Sequence, residues 1–146
     1  MFPTCGLIAM NPNLFVYGTL KSTYQGTFGR PMRDRLHKEC KRLGPATIPG
    51  RLFDLGAYPG LAEPMSGADV VQGELLQLTD PEPTFIWLDA YEGILPGALA
   101  ASEYRREERV VELRAETSPR PHKAWVYLYA RQVGDLRLVP SGLWSG

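Results

Sequence analysis

Apolar residues recur along this 146-residue chain with two different periods. Leu14-Phe15-Val16-Tyr17 is a short continuous apolar run stopped by Gly18, which predicts a buried strand. Over 30–43 the period lengthens. Met32, Leu36, Cys40 and Leu43 follow at spacings of four, four and three among charged residues, the pattern of an amphipathic helix, with Pro31 suited to its first turn and Gly44 to its end. Six basic residues, Arg30, Arg33 and Arg42 among them, decorate this segment and read as a solvated face. Strand-like segments follow at 48–55, 70–78, 104–113 and 124–130. In the last, Trp125, Tyr127 and Tyr129 share one face while Val126, Leu128 and Ala130 share the other. Both faces are apolar, so both are expected to be covered, as in a closed or nearly closed barrel with helices outside. Pro81-Glu82-Pro83 opens a second helix that is expected to run to about Glu92 and stop at Gly93. Residues 93–103 read as a loop and 115–122 as a turn with two prolines. No linker interrupts the pattern, so one α+β domain over 13–146 is expected, behind a flexible leader at 1–12.

Composition narrows the function classes. Hydrophobic residues at 44% and charged residues at 22% are enough for a core and exclude disorder as the main state. Sixteen basic residues cancel sixteen acidic ones, which argues against nucleic acid or an anionic membrane as partners. Cys5 and Cys40 stand in no metal-ligand spacing and are expected to be free thiols. No apolar stretch reaches ten residues, and 1–13 lacks the basic and apolar regions of a signal peptide. The expectation is a cytoplasmic protein, and without a coiled-coil pattern, a monomer.

Most familiar catalytic patterns are missing. His37 and His122 stand in polar contexts and read as surface histidines, and there is no GxSxG, GxGxxG, P-loop or zinc-ligand spacing. Two features are left. Glu92 follows Phe85 and Leu88 at helical spacing, so it either projects near the buried face or points outward from the helix end. On the buried side, the carbonyl end of the helix and desolvation would both raise its pKa towards neutrality, where a carboxyl can accept and return a proton. Asp89, one turn earlier, could pair with it, but adjacency on one helix leaves no room for a sugar between the two. The second feature is Tyr17-Gly18-Thr19-Leu20, where a strand ends at a glycine. This is either an ordinary turn or a run of unpaired N–H groups able to hold a carboxylate or an oxyanion.

The order of several motifs resembles that of the γ-glutamylcyclotransferase-like family, in its AIG2-like branch. The stretches that carry the resemblance are Phe15-Val16-Tyr17-Gly18-Thr19-Leu20-Lys21, Gly50-Arg51-Leu52-Phe53-Asp54-Leu55-Gly56 with the loop Tyr58-Pro59-Gly60-Leu61, and Gly73-Glu74-Leu75. Leu88-Asp89-Ala90-Tyr91-Glu92-Gly93, Tyr104-Arg105-Arg106, Ala124-Trp125-Val126-Tyr127 and Ser141-Gly142-Leu143-Trp144 complete them, over roughly residues 13 to 144. Ser22 to Thr27 departs from the Gly-rich or His-containing loop that relatives often carry there.

The resemblance implies a small mixed β-barrel with flanking helices and a substrate cavity faced by Glu92. It also implies a reaction without metal or cofactor. The α-amine of a γ-glutamyl amine or γ-glutamyl amino acid attacks its own γ-carbonyl, giving 5-oxoproline and the free amine. Glu92 would be the general acid and base, and the N–H groups around Gly18, Thr19 and Leu20 would hold the substrate carboxylate or the oxyanion. Tyr17, Tyr58, Tyr104 and Tyr127 would be pocket walls or donors, with Arg105 or Arg106 as a further contact to the carboxylate. The alternative on the same fold is a non-catalytic module that binds a small carboxylate or a peptide end.

Overall fold

The short apolar runs form strands because their β-branched and aromatic side chains suit a pleated surface covered on both sides. The computed structural model describes residues 9–97, 101–114 and 120–145. Its elements are β1 (Asn13–Val16), α1 (Arg30–Lys38), β2 (Cys40–Pro49), β3 (Arg51–Asp54), β4 (Pro59–Ala62), β5 (Val70–Leu78), α2 (Pro81–Tyr91), β6 (Tyr104–Leu113), β7 (Arg120–Tyr129) and β8 (Arg137–Leu138). Five strands close a barrel in the order β1-β5-β2-β6-β7, and β4-β3-β8 form a separate sheet. The barrel is mixed. β1 runs antiparallel to β5 but parallel to β7, at the pairs Leu14 with Trp125 and Phe15 with Val126.

Alternation divides the apolar side chains into two buried groups. Phe15, Val71, Leu75, Val126 and Leu128 point into the barrel with Trp144. Their strand neighbours Leu14, Val16, Leu76 and Leu78 point outward and are covered by Leu36 of α1 and by Phe85 and Leu88 of α2. A one-residue slip in any of these strands would exchange the two sets, so both layers enforce the same register. Each fully buried Leu or Phe contributes about 1.5–3 kcal/mol relative to exposure.

Several boundaries differ from the sequence reading. The helix expected over 30–43 ends at Lys38, and Cys40 onward is strand. The deciding force is pairing: Cys40 to Pro49 lie alongside Leu78 to Val70, a long ladder that a helix would forgo. Gly44, with φ 145°, sits at a bulge in that ladder and not at a helix end. Arg33, expected on the solvated face, is buried. The strand expected over 48–55 is broken at Gly50, whose tight contact with Leu61 and the Ala62 carbonyl leaves no room for a Cβ. The loop expected at Tyr58 to Leu61 contains β4, paired antiparallel with β3. Residues 120–122 of the expected turn belong to β7, and 115–119 lie outside the described residues. Residues 1–8 of the expected leader and Cys5 also lie outside them, while Cys40 carries a free thiol. Asn11 and Pro12, placed in the leader by the sequence reading, are bonded to the barrel: the Asn11 carbonyl accepts from Trp125 Nε1 and the Pro12 carbonyl from the Leu78 N–H. Among the described residues no helix is long and apolar enough to cross a membrane.

Gly73 tests the closeness of β1 and β5. A Cβ there would lie 2.2 Å from the Val16 carbonyl oxygen and 2.7 Å from Phe15 Cζ. Gly73→Ala is expected to lower stability by about 1–3 kcal/mol, read as a shift of the urea midpoint at unchanged slope. An unchanged midpoint would mean that the two strands are not this close.

Candidate functional site

Glu92 is positioned by the way α2 ends. Gly93 adopts φ 77°, and two hydrogen bonds close the helix: Gly93 N–H to the Ala90 carbonyl and Ile94 N–H to the Asp89 carbonyl. This is the Schellman arrangement, which satisfies the last carbonyls and turns the chain sharply. Glu92 is the capping residue, its N–H still bonded to the Leu88 carbonyl 2.9 Å away. Its side chain is thereby held on the side of Phe85 and Leu88 and lines a cavity.

The turn that follows β1 lines the same cavity from the opposite strand end. Buried side chains hold it from behind. The Arg33 guanidinium donates to the carbonyls of Thr19 (2.8 Å), Gly26 (2.8 Å) and Phe28 (3.1 Å). His37 Nε2 donates to the Leu20 carbonyl at 2.8 Å, so His37 is half-buried and bonded, not the surface histidine expected. Buried Glu74 accepts from the Ser22 N–H at 2.7 Å and from its hydroxyl. With the carbonyls engaged outward, the N–H groups of Gly18, Thr19 and Leu20 donate to no protein acceptor among the described residues. Pro59 packs so tightly on Gly18 that a Cβ there would lie 2.8 Å from Pro59 Cδ.

The cavity measures about 140 Å³. Its floor is the buried set Phe15, Val16, Tyr17, Leu20, Tyr104 and Tyr127; Phe28, Tyr58, Tyr91 and Glu103 stand around its more exposed side. A cavity near 150 Å³ accommodates a benzene-sized molecule, so a compact group fills it and the rest of a longer ligand lies at the open side. Among the described residues no lysine, arginine or histidine lines it. Burial, then the negative charges of Glu103 and Asp89, push the Glu92 carboxyl up to about 8. Among the described residues nothing donates a hydrogen bond to it that would counter this shift. The Glu92 charge in turn acts on Tyr17, Tyr91, Tyr104 and Tyr127, each already pushed up by burial.

The four tyrosines named from the sequence all reach the cavity, but their hydroxyl protons are engaged within the protein. Tyr17 donates to the Tyr127 carbonyl, Tyr104 to the Pro59 carbonyl, Tyr127 to Asp89 and Tyr58 to Glu103. They are walls. Arg105 and Arg106 do not line the cavity. Arg105 pairs with Glu107 and Glu63 on the outer surface. Arg106 forks onto Asp89 at 2.9 and 3.1 Å and stacks over Phe85 and Trp125. Asp89 is therefore bound to Arg106 and Tyr127 and does not form a pair with Glu92. Sequence reasoning missed Phe28, Tyr91 and Glu103. Tyr91 adjoins Glu92 at the end of α2, whereas Phe28 and Glu103 lie in irregular segments with no period to mark them.

A family model described as gamma-glutamyl cyclotransferase, AIG2-like, matches residues 14–146, and the chain belongs to that family. No curated protein matches its sequence. The structure of an AIG2-like protein from Mus musculus is similar with a TM-score of 0.65 at 22% identity, over 92% of this chain and 95% of the mouse chain. YkqA from Bacillus subtilis is similar with a TM-score of 0.64 at 21% identity, and there 92% of this chain spans 40% of the relative's length. A protein from Pyrococcus horikoshii follows at a TM-score of 0.57 and 19% identity, over 90% of this chain and 87% of its own. At such identities the likeness is one of fold, a small mixed barrel with flanking helices; the general kind of activity, a cyclotransferase, comes with the family.

A carboxyl raised from 4.5 to about 8 keeps a proton in the folded state that the unfolded chain has released. Its contribution to stability is full below about pH 4.5 and is lost as pH rises through about 8. Glu92→Gln is thus expected to match the wild type near pH 4 and to be more stable by a few kcal/mol near pH 9. Thermal melts across that range check it, and parallel curves would place the carboxyl in water.

Proposed function

We propose that the protein cyclises a γ-glutamyl amine or γ-glutamyl amino acid to 5-oxoproline, releasing the amine, with Glu92 as general acid and base. The observation that carries this reading is a cavity in which a carboxyl titrating near 8 faces a turn of unengaged backbone N–H groups.

The substrate's γ-glutamyl end carries a carboxylate and an ammonium on one carbon. The N–H groups of Gly18, Thr19 and Leu20 suit an anion, because successive donors form a concavity of positive potential. Glu92 suits the ammonium. An α-amine titrates at roughly 8, close to Glu92, so the proton passes between them at little cost. The neutral nitrogen then attacks the γ-carbonyl carbon, forming a C–N bond while the carbonyl oxygen gains negative charge. When that oxygen reforms the carbonyl, the original amide C–N bond breaks. The leaving nitrogen takes its proton from Glu92, and the carboxylate so formed removes the extra proton from the attacking nitrogen, which becomes the ring N–H of 5-oxoproline; that proton passes to the departed amine, which leaves as its ammonium, and Glu92 is a carboxylate again. The apolar walls contribute by holding a flexible chain bent into the attacking conformer.

The test is release of 5-oxoproline from γ-glutamyl amines and amino acids. Glu92→Gln should lower kcat by at least about 100-fold while the protein stays folded. In the wild type, kcat/KM should climb with pH towards about 8 as the free carboxyl ionises and fall above it as the free substrate loses the ammonium proton that the step needs. Turnover by the variant near the wild-type rate, or a profile flat across neutrality, would refute the role of Glu92.

A further inference from the structure

The reaction just described builds negative charge on the γ-carbonyl oxygen. In an apolar cavity such a charge needs a donor already in place. The N–H groups of Gly18, Thr19 and Leu20 are taken by the substrate carboxylate, and Glu92 works on the two nitrogens. The side-chain hydroxyls of the cavity remain. Those of Tyr17, Tyr58, Tyr104 and Tyr127 donate to protein acceptors. That leaves Thr19 and Tyr91, both of which line the cavity.

These two hydroxyls are bonded to each other. They meet over Gly29, where the missing side chain makes the room: a Cβ there would lie 2.7 Å from the Tyr91 oxygen and 3.4 Å from Thr19 Oγ1. Among the described residues neither hydroxyl has another hydrogen-bond partner. One bond between two hydroxyls uses one of their two protons, so the pair has one to offer. The phenol is the stronger acid and the better donor to a charged oxygen. Thr19 therefore donates to Tyr91, and the phenol proton is the free one. A chain of donors in this order strengthens as charge grows on its last acceptor. Neither end of the pair is loose: Thr19 is buried with its carbonyl held by Arg33 at 2.8 Å, and Tyr91 closes α2 beside Glu92. Burial and the Glu92 charge push the phenol pKa up, so it keeps its proton across the neutral range.

We propose that Tyr91, oriented by Thr19, is a catalytic residue whose phenol O–H donates to the γ-carbonyl oxygen as the new C–N bond forms. The carbonyl electron pair moves onto that oxygen during attack and returns when the old C–N bond breaks; the phenol proton is not transferred. The inference rests on the cyclotransferase reading and adds to it the donor for the oxyanion.

The experiment measures 5-oxoproline release from γ-glutamylalanine and γ-glutamylbutylamine by the wild type, Tyr91→Phe, Thr19→Val and the double variant, with a thermal melt of each. Tyr91→Phe keeps the ring as a wall and removes only the hydroxyl. Its kcat should fall about 100-fold on both substrates, with KM within about threefold of the wild type and the rising limb of the pH profile unmoved. Thr19→Val should lower kcat by roughly tenfold in the wild-type background and by no further factor once residue 91 is Phe. Release by Tyr91→Phe within about threefold of the wild-type kcat would overturn the assignment and leave the cyclotransferase reading intact. So would a loss confined to KM, which marks a contact made equally in the ground state, or a displaced pH limb, which would mean that Tyr91 acts through Glu92. Losses that multiply in the double variant would overturn the orienting role of Thr19. No 5-oxoproline from either substrate with the wild type would overturn both readings.

Discussion

The hydroxyl of Tyr17 joins the parts of the molecule that make the cavity. It is buried, donates to the Tyr127 carbonyl at 2.6 Å and accepts from the Leu61 N–H at 3.2 Å. A buried phenol must find partners, and these belong to β7 of the barrel and β4 of the second sheet. Tyr104 repeats the device, donating to the Pro59 carbonyl at 2.6 Å. Two tyrosines from the barrel thus hold β4, and Gly60 lets that strand lie directly on the Tyr129 ring. Where β4 lies decides where Pro59 meets Gly18 and where Tyr58 meets Glu103. The shape of the cavity is a consequence of how the small sheet is pinned.

Three acidic residues, Glu74, Asp89 and Glu92, show how environment separates roles. Burial pushes the Glu74 carboxyl up, but bonds from Ser22 and the Arg42 guanidinium bring it below the usual range. Asp89 is held by Arg106 and Tyr127. Glu92 is desolvated like Glu74 but receives no compensating donor, and its neighbours Glu103 and Asp89 are negative. The first two organise the loop and the helix, and the third is left able to exchange a proton near neutrality. Arg106 has a comparable structural role, enclosed between aromatic rings and a carboxylate in a place where it cannot reach a ligand.

Much of this was legible in the residues. The alternation at 124–130 foretold a strand covered on both faces, whereas the spacing of Phe85, Leu88 and Glu92 left two sides of α2 open to the glutamate, and only the resemblance chose between them. The fragments in family order led to the barrel. The failures have physical causes. The 3.6-residue spacing of Cys40 and Leu43 was coincidental, because the same residues also suit a strand, and only the partner β5, thirty residues on, decides between them. Arg33 looked like surface because charge implies exposure unless acceptors wait for it, and its acceptors are carbonyls of an irregular loop. Glu103 follows a segment with no periodicity, so nothing local could bring it to the cavity.

The seam between β1 and β7 has a further meaning for how the chain reaches this state. Leu14 and Phe15 pair with Trp125 and Val126, residues from opposite ends of the sequence. Closing so long a loop is entropically costly and repaid only when the distant contacts form, which marks slow-folding topologies. The turn that presents the N–H groups begins immediately after β1, and Tyr127 immediately after the seam. With this seam open, β1 would be held by β5 alone, and nothing would fix the turn against Tyr127. The cavity is therefore complete only when the barrel is closed, so its walls are a reporter of topological completion.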